Sequence, residues 1–171
     1  SGGSWIASEY VQPVINGDLA LLTGMAKALC EQNQIDVEFI AQHTEGFDNC
    51  ATDLALTSWQ ALEAASGISA ERMRALAALY AKADRAIFAW GMGITHHQNG
   101  VENVEAIANL ALLRGMIGKP AAGLLPLRGH SNVQGIGTVG VKPLLPDDVL
   151  THLEKHFNIK LPTHEGMDTL A

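Results

Sequence analysis

Apolar residues recur at helical spacing along the first half of the chain, which predicts a series of amphipathic helices. The first helix is predicted over Asp18–Glu31. It contains Gly24, where a neighbouring element is expected to approach closely. Further helices are predicted from the residues that cap or begin them, which are Asp36, Asp48, Ser58 and Ser69.

A continuous apolar run, Ala86–Trp90, interrupts this helical pattern. It is too short for a helix, and its lack of alternation is typical of a strand buried on both faces of a parallel sheet. Asn99 is expected to cap the next helix, with Glu102 in capping-box position. This order of elements indicates an α/β fold, in which ligands bind at the carboxyl ends of the strands. Gly91–Gln98 is therefore predicted to lie at the ligand edge.

Residues 121–146 show no convincing period, although glycine recurs among them. Such a long irregular connection is unusual in a compact domain, and its apolar content argues against disorder. A last helix is predicted to begin at Asp147 and Asp148, and Asp168–Thr169 resembles a further helix start.

Length and composition favour one α/β domain over residues 5–171. The chain has 171 residues, of which 47% are hydrophobic and 5% aromatic, and Ser1–Ser4 has the composition of a linker. The formal net charge of −7 offers no electrostatic footprint for nucleic acid or an anionic membrane. No apolar run has the length of a spanning helix, and no signal peptide is visible.

Two cysteines, Cys30 and Cys50, match no metal-binding or redox spacing. We expect two reduced, packed thiols, which favours a cytoplasmic protein.

The richest chemistry lies in the segment RGHSNVQG. Arg128 offers a bidentate fork for an anion, and His130 can transfer a proton near neutral pH. Asn132 and Gln134 can both donate and accept hydrogen bonds. Apolar residues and glycines frame the segment, so we expect it to be packed rather than fully solvated.

Three other motifs are weaker evidence for a binding or metal site. The GxGxxG pattern over 135–140 lacks the preceding strand and following helix of a dinucleotide fingerprint, so a turned loop is preferred. His152 and His156 stand in HLEKH rather than HExxH, and no metal site is assigned. The loop Gly91–His97 fits a ligand-binding loop and an ordinary strand-to-helix turn about equally well.

The stretch WGMGITHHQNGVENVEAIANLALLRGMIGKPAAGLLPLRGHSNVQG closely resembles molybdopterin-dependent oxidoreductases of the formate dehydrogenase type, in particular their alpha-subunit-like branch. NGDLALLTGMAKAL and FIAQHTEGF, further upstream, resemble the same family. The resemblance implies an internal fragment of a mostly helical, three-layer Rossmann-like domain with a small parallel sheet.

The resemblance also implies catalytic roles for two residues. Arg128 matches the family arginine that orients an anionic substrate beside molybdenum. His130 stands where the family commonly has glutamine, which leaves formate open as the substrate and suggests a proton-transfer role.

The implied cofactor is molybdopterin guanine dinucleotide with molybdenum. The residues that match its binding loops are Gly91, Met92, Gly93, Thr95 and His96, with Asn132 and Gln134 around the pterin and Asp18 near the guanine.

The molybdenum ligand and the iron–sulfur cluster of such enzymes are expected outside this chain, so the fragment alone should be inactive. The expected partners are the other domains of the parent chain, a small anion such as formate, and a second copy docked through exposed apolar surface. A bacterial cytoplasmic enzyme is the implied setting. The alternative is a free-standing nucleotide-binding or protein-interaction module without catalysis.

Overall fold

A group of helices precedes the first strand in the computed structural model, which describes residues 7–139 and 144–166. These helices are α1 Asp18–Glu31, α2 Val37–His43, α3 Phe47–Leu56, α4 Trp59–Ser66 and α5 Ala70–Lys82. Next come β1 Ile87–Trp90, α6 Met92–Thr95, α7 Gly100–Leu113 and β2 Gly123–Pro126, followed by α8 Val133–Thr138 and α9 Asp147–Phe157. The chain forms two compact units, Ser1–Leu127 and Arg128–Ala171.

Helix α1 is the centre of the first unit, because α3, α4, α5 and α7 all pack against it. Its Ala28 and Leu29 are fully buried, as are Ala77 of α5 and Leu110 of α7. A Cβ atom at Gly24 would collide with the Sδ atom of Met73 in α5. The predicted close approach at Gly24 is therefore confirmed.

The local capping signals predicted the early helices well. The side chain of Asp36 accepts from Phe39 N at 3.0 Å, and those of Ser58 and Ser69 make the equivalent capping bonds. The start predicted at Asp48 is displaced by one residue: Gly46, with a left-handed φ of 75°, is the N-cap of α3.

The two strands pair in parallel, in register from Ile87 beside Gly123 to Trp90 beside Pro126. The prediction that β1 is buried on both faces is wrong, because Ile87 is 59% exposed. Only one face of β1 is covered among the described residues, where the ring of Phe88 meets that of Tyr80 edge-on at 5.3 Å.

The prediction of an irregular segment over 121–146 is wrong for two stretches. Strand β2 has four residues, which is too short to show a period. Helix α8 has six residues, of which Gly135 and Gly137 are glycines, so it shows no helical pattern of apolar residues. Residues 140–143 and the predicted helix start at Asp168–Thr169 lie outside the described residues.

In the second unit α9 begins at Asp147, as predicted. Leu150 and Leu153 line an apolar cavity of about 260 Å³ together with Leu144 and Leu161, whereas Phe157 is 60% exposed.

The predicted fold class, a mostly helical α/β fragment with a small parallel sheet, is confirmed. Among the described residues, no helix has both the length and the apolar character needed to span a membrane.

Lys27 is a buried cation that joins α1 to the end of α3. Its side chain is only 6% exposed, and Nζ donates to the carbonyl oxygens of Leu54 at 2.8 Å and Ala55 at 3.1 Å. Glu31 supplies a carboxylate oxygen 3.2 Å from Nζ. The ammonium group thus satisfies carbonyls that have no helical partner at the end of α3.

We predict that Lys27→Met lowers the free energy of unfolding by about 1–3 kcal/mol, because two carbonyl oxygens lose their donor while the apolar stem is kept. Urea-induced unfolding followed by circular dichroism measures the change. Lys82→Met, at an exposed position of α5, is the matched control and should change stability by less than about 0.5 kcal/mol. Equal effects of the two substitutions would contradict the role given to Lys27.

Candidate functional site

The carboxyl ends of β1 and β2 meet at one edge of the sheet, where Leu127 N donates to Trp90 O at 2.7 Å. Gly91 follows β1 directly, so the loop Gly91–Gln98 lies at this edge, as predicted. Gly91 has an extended conformation, and a Cβ atom on it would lie 3.8 Å from Leu127 O.

This loop contains a single helical turn, α6, whose inner side is held by a buried side-chain amide. Asn103, in the first half of α7, is fully buried, and its Nδ2 donates to Ile94 O at 3.0 Å. The exposed side of the turn carries Met92, Thr95 and His96, and the space around Gly93 is open. The residues expected to contact a cofactor thus face outward from a loop that is fixed on its inner side.

Gly100 lets the loop fold back tightly on α7. A Cβ atom at this position would collide with the backbone carbonyl of Thr95. Gly100 N also donates to His97 O at 3.1 Å. Gly100 was not singled out from the sequence, although the dipeptide Asn-Gly is a turn signal.

The predicted capping box at the start of α7 is wrong. Asn99 is the N-cap residue, but its side chain makes no capping bond. Its backbone, with φ −104° and ψ 37°, is outside the extended conformation that turns a cap side chain towards the helix amides. Asn99 Oδ1 is instead buried without a hydrogen-bond partner among the described residues.

Helix α1 brings Asp18 to the same edge of the sheet. Asp18 Oδ2 lies 3.5 Å from His97 Nδ1, and the two side chains are about one-fifth exposed, at 22% and 19%. The separation is that of an ion pair, which forms when the imidazole is protonated. The two groups are not aligned for a hydrogen bond, so the buried His97 Nδ1 has no such partner in the described part of the chain.

The polar atoms around the start of α7 are mainly acceptors. Asn99 Oδ1 and Asn103 Oδ1 are buried without partners in the described structure, and Asp18 adds a partly exposed carboxylate. Both asparagine oxygens are closed to solvent, so a ligand that offers N–H or O–H donors can reach the Asp18 carboxylate rather than these oxygens.

The polar segment of the second unit is exposed. Arg128, His130, Asn132 and Gln134 all lie on the surface, so the prediction that they are packed is wrong. The six-residue helix α8 contains two glycines and offers few apolar side chains to cover them. The GxGxxG pattern, expected to be a turned loop, lies partly in α8, and Gly140 is outside the described residues.

His152 and His156 are exposed on α9, and the ring of His156 meets that of Phe157 edge-on at 4.7 Å. Over residues 7–139 and 144–166, no three His, Cys, Asp or Glu side chains converge as a metal site would require.

The fold and the polar groups define an α/β protein with an acceptor-rich site at the carboxyl edge of a parallel strand pair. A family comparison makes the class specific: residues 4–159 match the molybdopterin oxidoreductase family, and the chain belongs to it. The resemblance found in the sequence is therefore confirmed, and this family implies a molybdenum–pterin cofactor.

Two relatives of this chain come from Escherichia coli strain K12. The chain is 41% identical over 176 residues to Protein YdeP of Escherichia coli strain K12, covering 97% of the chain and 23% of that protein. It is 38% identical over 138 residues to formate dehydrogenase H of the same strain, covering 81% of the chain and 19% of the enzyme. The chain thus spans about a quarter or less of the relatives' length.

A solved structure supports the fold. Acetylene hydratase from Pelobacter acetylenicus matches with a TM-score of 0.63 and 20% identity, over 68% of this chain and 16% of the enzyme.

Asn103 is the main site residue that sequence reasoning missed. It lies on the face of α7 that also buries Ile107 and Leu110, where a polar residue is out of place. An amide on an otherwise apolar helical face is a signal that could have identified it.

We predict that Asn103→Asp loosens the loop after β1. The substitution removes the donor to Ile94 O and brings a carboxylate oxygen towards that carbonyl, which costs about 2 kcal/mol or more in a buried position. Hydrogen exchange by mass spectrometry should become faster in peptides covering residues 92–99. Asn109→Asp, at an exposed position of the same helix, should leave exchange there unchanged. Unaltered exchange in Asn103→Asp would show that the amide does not hold the loop.

Proposed function

We propose that this chain forms part of a molybdenum-dependent oxidoreductase related to formate dehydrogenase. In this proposal it supplies a loop for the guanine end of molybdopterin guanine dinucleotide and a substrate-facing segment with Arg128 and His130. The observation that carries the proposal is the partly exposed Asp18 carboxylate beside the loop Gly91–Gln98, in a chain that belongs to the molybdopterin oxidoreductase family.

The Asp18 carboxylate fits the guanine end of such a cofactor. Guanine presents an N1–H and an exocyclic amino group side by side, and a carboxylate can accept from both. Asp18, whose side chain is 22% exposed, would accept these donors. The exposed turn at Gly93 leaves room for the backbone to approach a flat ligand.

The bound cofactor would supply the two-electron redox chemistry. The roles of the chain's own residues are positioning and proton transfer. The Arg128 guanidinium would hold a small carboxylate such as formate through two parallel N–H donors. His130 would accept or donate a proton at an imidazole nitrogen, and Asn132 and Gln134 would hydrogen-bond the pterin.

We predict that Asp18→Asn in the natural protein containing this sequence weakens retention of the dinucleotide. An amide replaces one acceptor oxygen by a donor, which should cost about 1.5–3 kcal/mol, or roughly tenfold to a hundredfold in affinity. The measurement is guanosine monophosphate released by acid hydrolysis, together with molybdenum by elemental analysis.

Asp84→Asn is the matched control, since Asp84 is 80% exposed and lies before β1, away from the site. Full nucleotide content in Asp18→Asn would show that Asp18 does not bind the guanine. A wild-type protein that contains pterin but no guanine nucleotide would exclude the dinucleotide form.

We predict that Arg128→Lys in the same protein raises KM for formate about tenfold or more, because the ammonium group cannot make the paired contact of a guanidinium. Steady-state formate oxidation with an artificial electron acceptor measures the effect. Arg85→Lys is the control, because Arg85 is exposed and should leave KM unchanged. An unchanged KM in Arg128→Lys would remove Arg128 from the substrate site.

A further inference from the structure

The cysteines Cys30 and Cys50 lie on two helices that pack against each other. Cys30 is in the last turn of α1, and Cys50 is in the first turn of α3. Both are free thiols, half-buried against the same hydrophobic core. A small cavity of about 50 Å³ between α2, α3 and α7 is lined in part by Cys50.

The contacts of Lys27 indicate how α1 and α3 are aligned. Lys27 Nζ reaches the carbonyl oxygens of Leu54 and Ala55 at the end of α3. One turn further along α1 is Cys30, and one turn back along α3 from Leu54 is Cys50. Each cysteine therefore lies about one helical turn from the same contact between α1 and α3, within the interface of the two helices.

The electrostatics of the thiols agree with this alignment. Burial raises the pKa of both cysteines, and the charge that Cys50 would carry as a thiolate raises the pKa of Cys30 further. Glu31 raises the pKa of Cys30 and Lys27 lowers it, while Asp53 raises that of Cys50. The effect of Cys50 on the pKa of Cys30 agrees with the placement of both thiols at the interface of α1 and α3.

We propose that Cys30 and Cys50 form a redox modification site, in which a low-molecular-weight disulfide converts the two thiols into an intramolecular disulfide between α1 and α3. One thiolate attacks a sulfur of oxidised glutathione, forming a mixed disulfide and releasing one reduced glutathione. The second thiol, after losing its proton, attacks the protein sulfur of that mixed disulfide. The protein disulfide forms and a second reduced glutathione leaves, so the protein is oxidised by two electrons and the glutathione disulfide is reduced.

Such a bond would close the chain segment that carries α2. A cross-link of this kind restricts the unfolded chain, so it stabilises the folded state. It would also fix the relative position of α1 and α3, which is now maintained by core packing and by Lys27.

The test is incubation of the folded 171-residue chain with oxidised glutathione, followed by intact mass and by alkylation of the remaining thiols. We expect a monomer that has lost two hydrogens, carries no glutathione and regains both thiols with dithiothreitol. Its thermal midpoint should rise by roughly 5–10 °C over that of the reduced chain.

The rate of formation should increase with pH between 7 and 9, because the raised thiol pKa keeps the attacking thiolate scarce at neutral pH. Cys30→Ser and Cys50→Ser are the controls, and circular dichroism checks that each is folded. Neither variant should gain thermal stability with the oxidant, and each should stop at a mixed disulfide.

Three results would overturn the proposal. They are a folded chain that keeps both thiols, a chain that stops at glutathione adducts, and cross-linking that joins only separate molecules.

Discussion

The close packing around α1 is the constraint on which the first unit depends. Small residues such as Gly24 and Ala28 let α5 and other helices approach closely, and the fully buried Leu29 fills the space between them. Lys27 on the same helix turns its ammonium group into the carbonyl end of α3. Because other helices pack against several sides of α1, its first residue, Asp18, is held beside His97 at the carboxyl edge of the sheet. Core packing thus determines the position of a polar group in the candidate site.

The helices whose ends are set by neighbouring residues could be predicted from the sequence. A serine or aspartate cap makes its bond within three residues, so Asp36, Ser58 and Ser69 act as expected. The prediction failed at Asn99, whose backbone conformation is imposed by the tight return of the loop at Gly100. It failed again at β2, because four residues are too few for a period and pairing with β1 is a contact distant in sequence.

The candidate site was only partly visible in the sequence for similar reasons. The loop after β1 could be located from the order of elements, and Asp18 entered through the family resemblance alone. That Asn103 supports the loop depends on how α6 folds over α7, which no local pattern encodes. For Arg128, His130, Asn132 and Gln134 the reverse holds. Their ability to bind an anion or a polar ring could be predicted from the sequence, but the burial expected from their apolar neighbours is absent, because all four are exposed. Residue type indicates what a side chain can bind, whereas its burial depends on the surrounding fold.

The charge of the loop region bears on which part of the proposed nucleotide cofactor it would contact. Residues 86–113 contain no lysine or arginine, so the basic side chains of this stretch are His96 and His97, and His97 already faces Asp18. Asp18 would repel a phosphate, and its carboxylate oxygens would accept from N–H donors. A purine edge with two adjacent N–H donors meets both requirements. A carboxylate gains no hydrogen bond from a ligand group that has only acceptor oxygens, so in the proposed function this region would contact the base of the nucleotide rather than its phosphates.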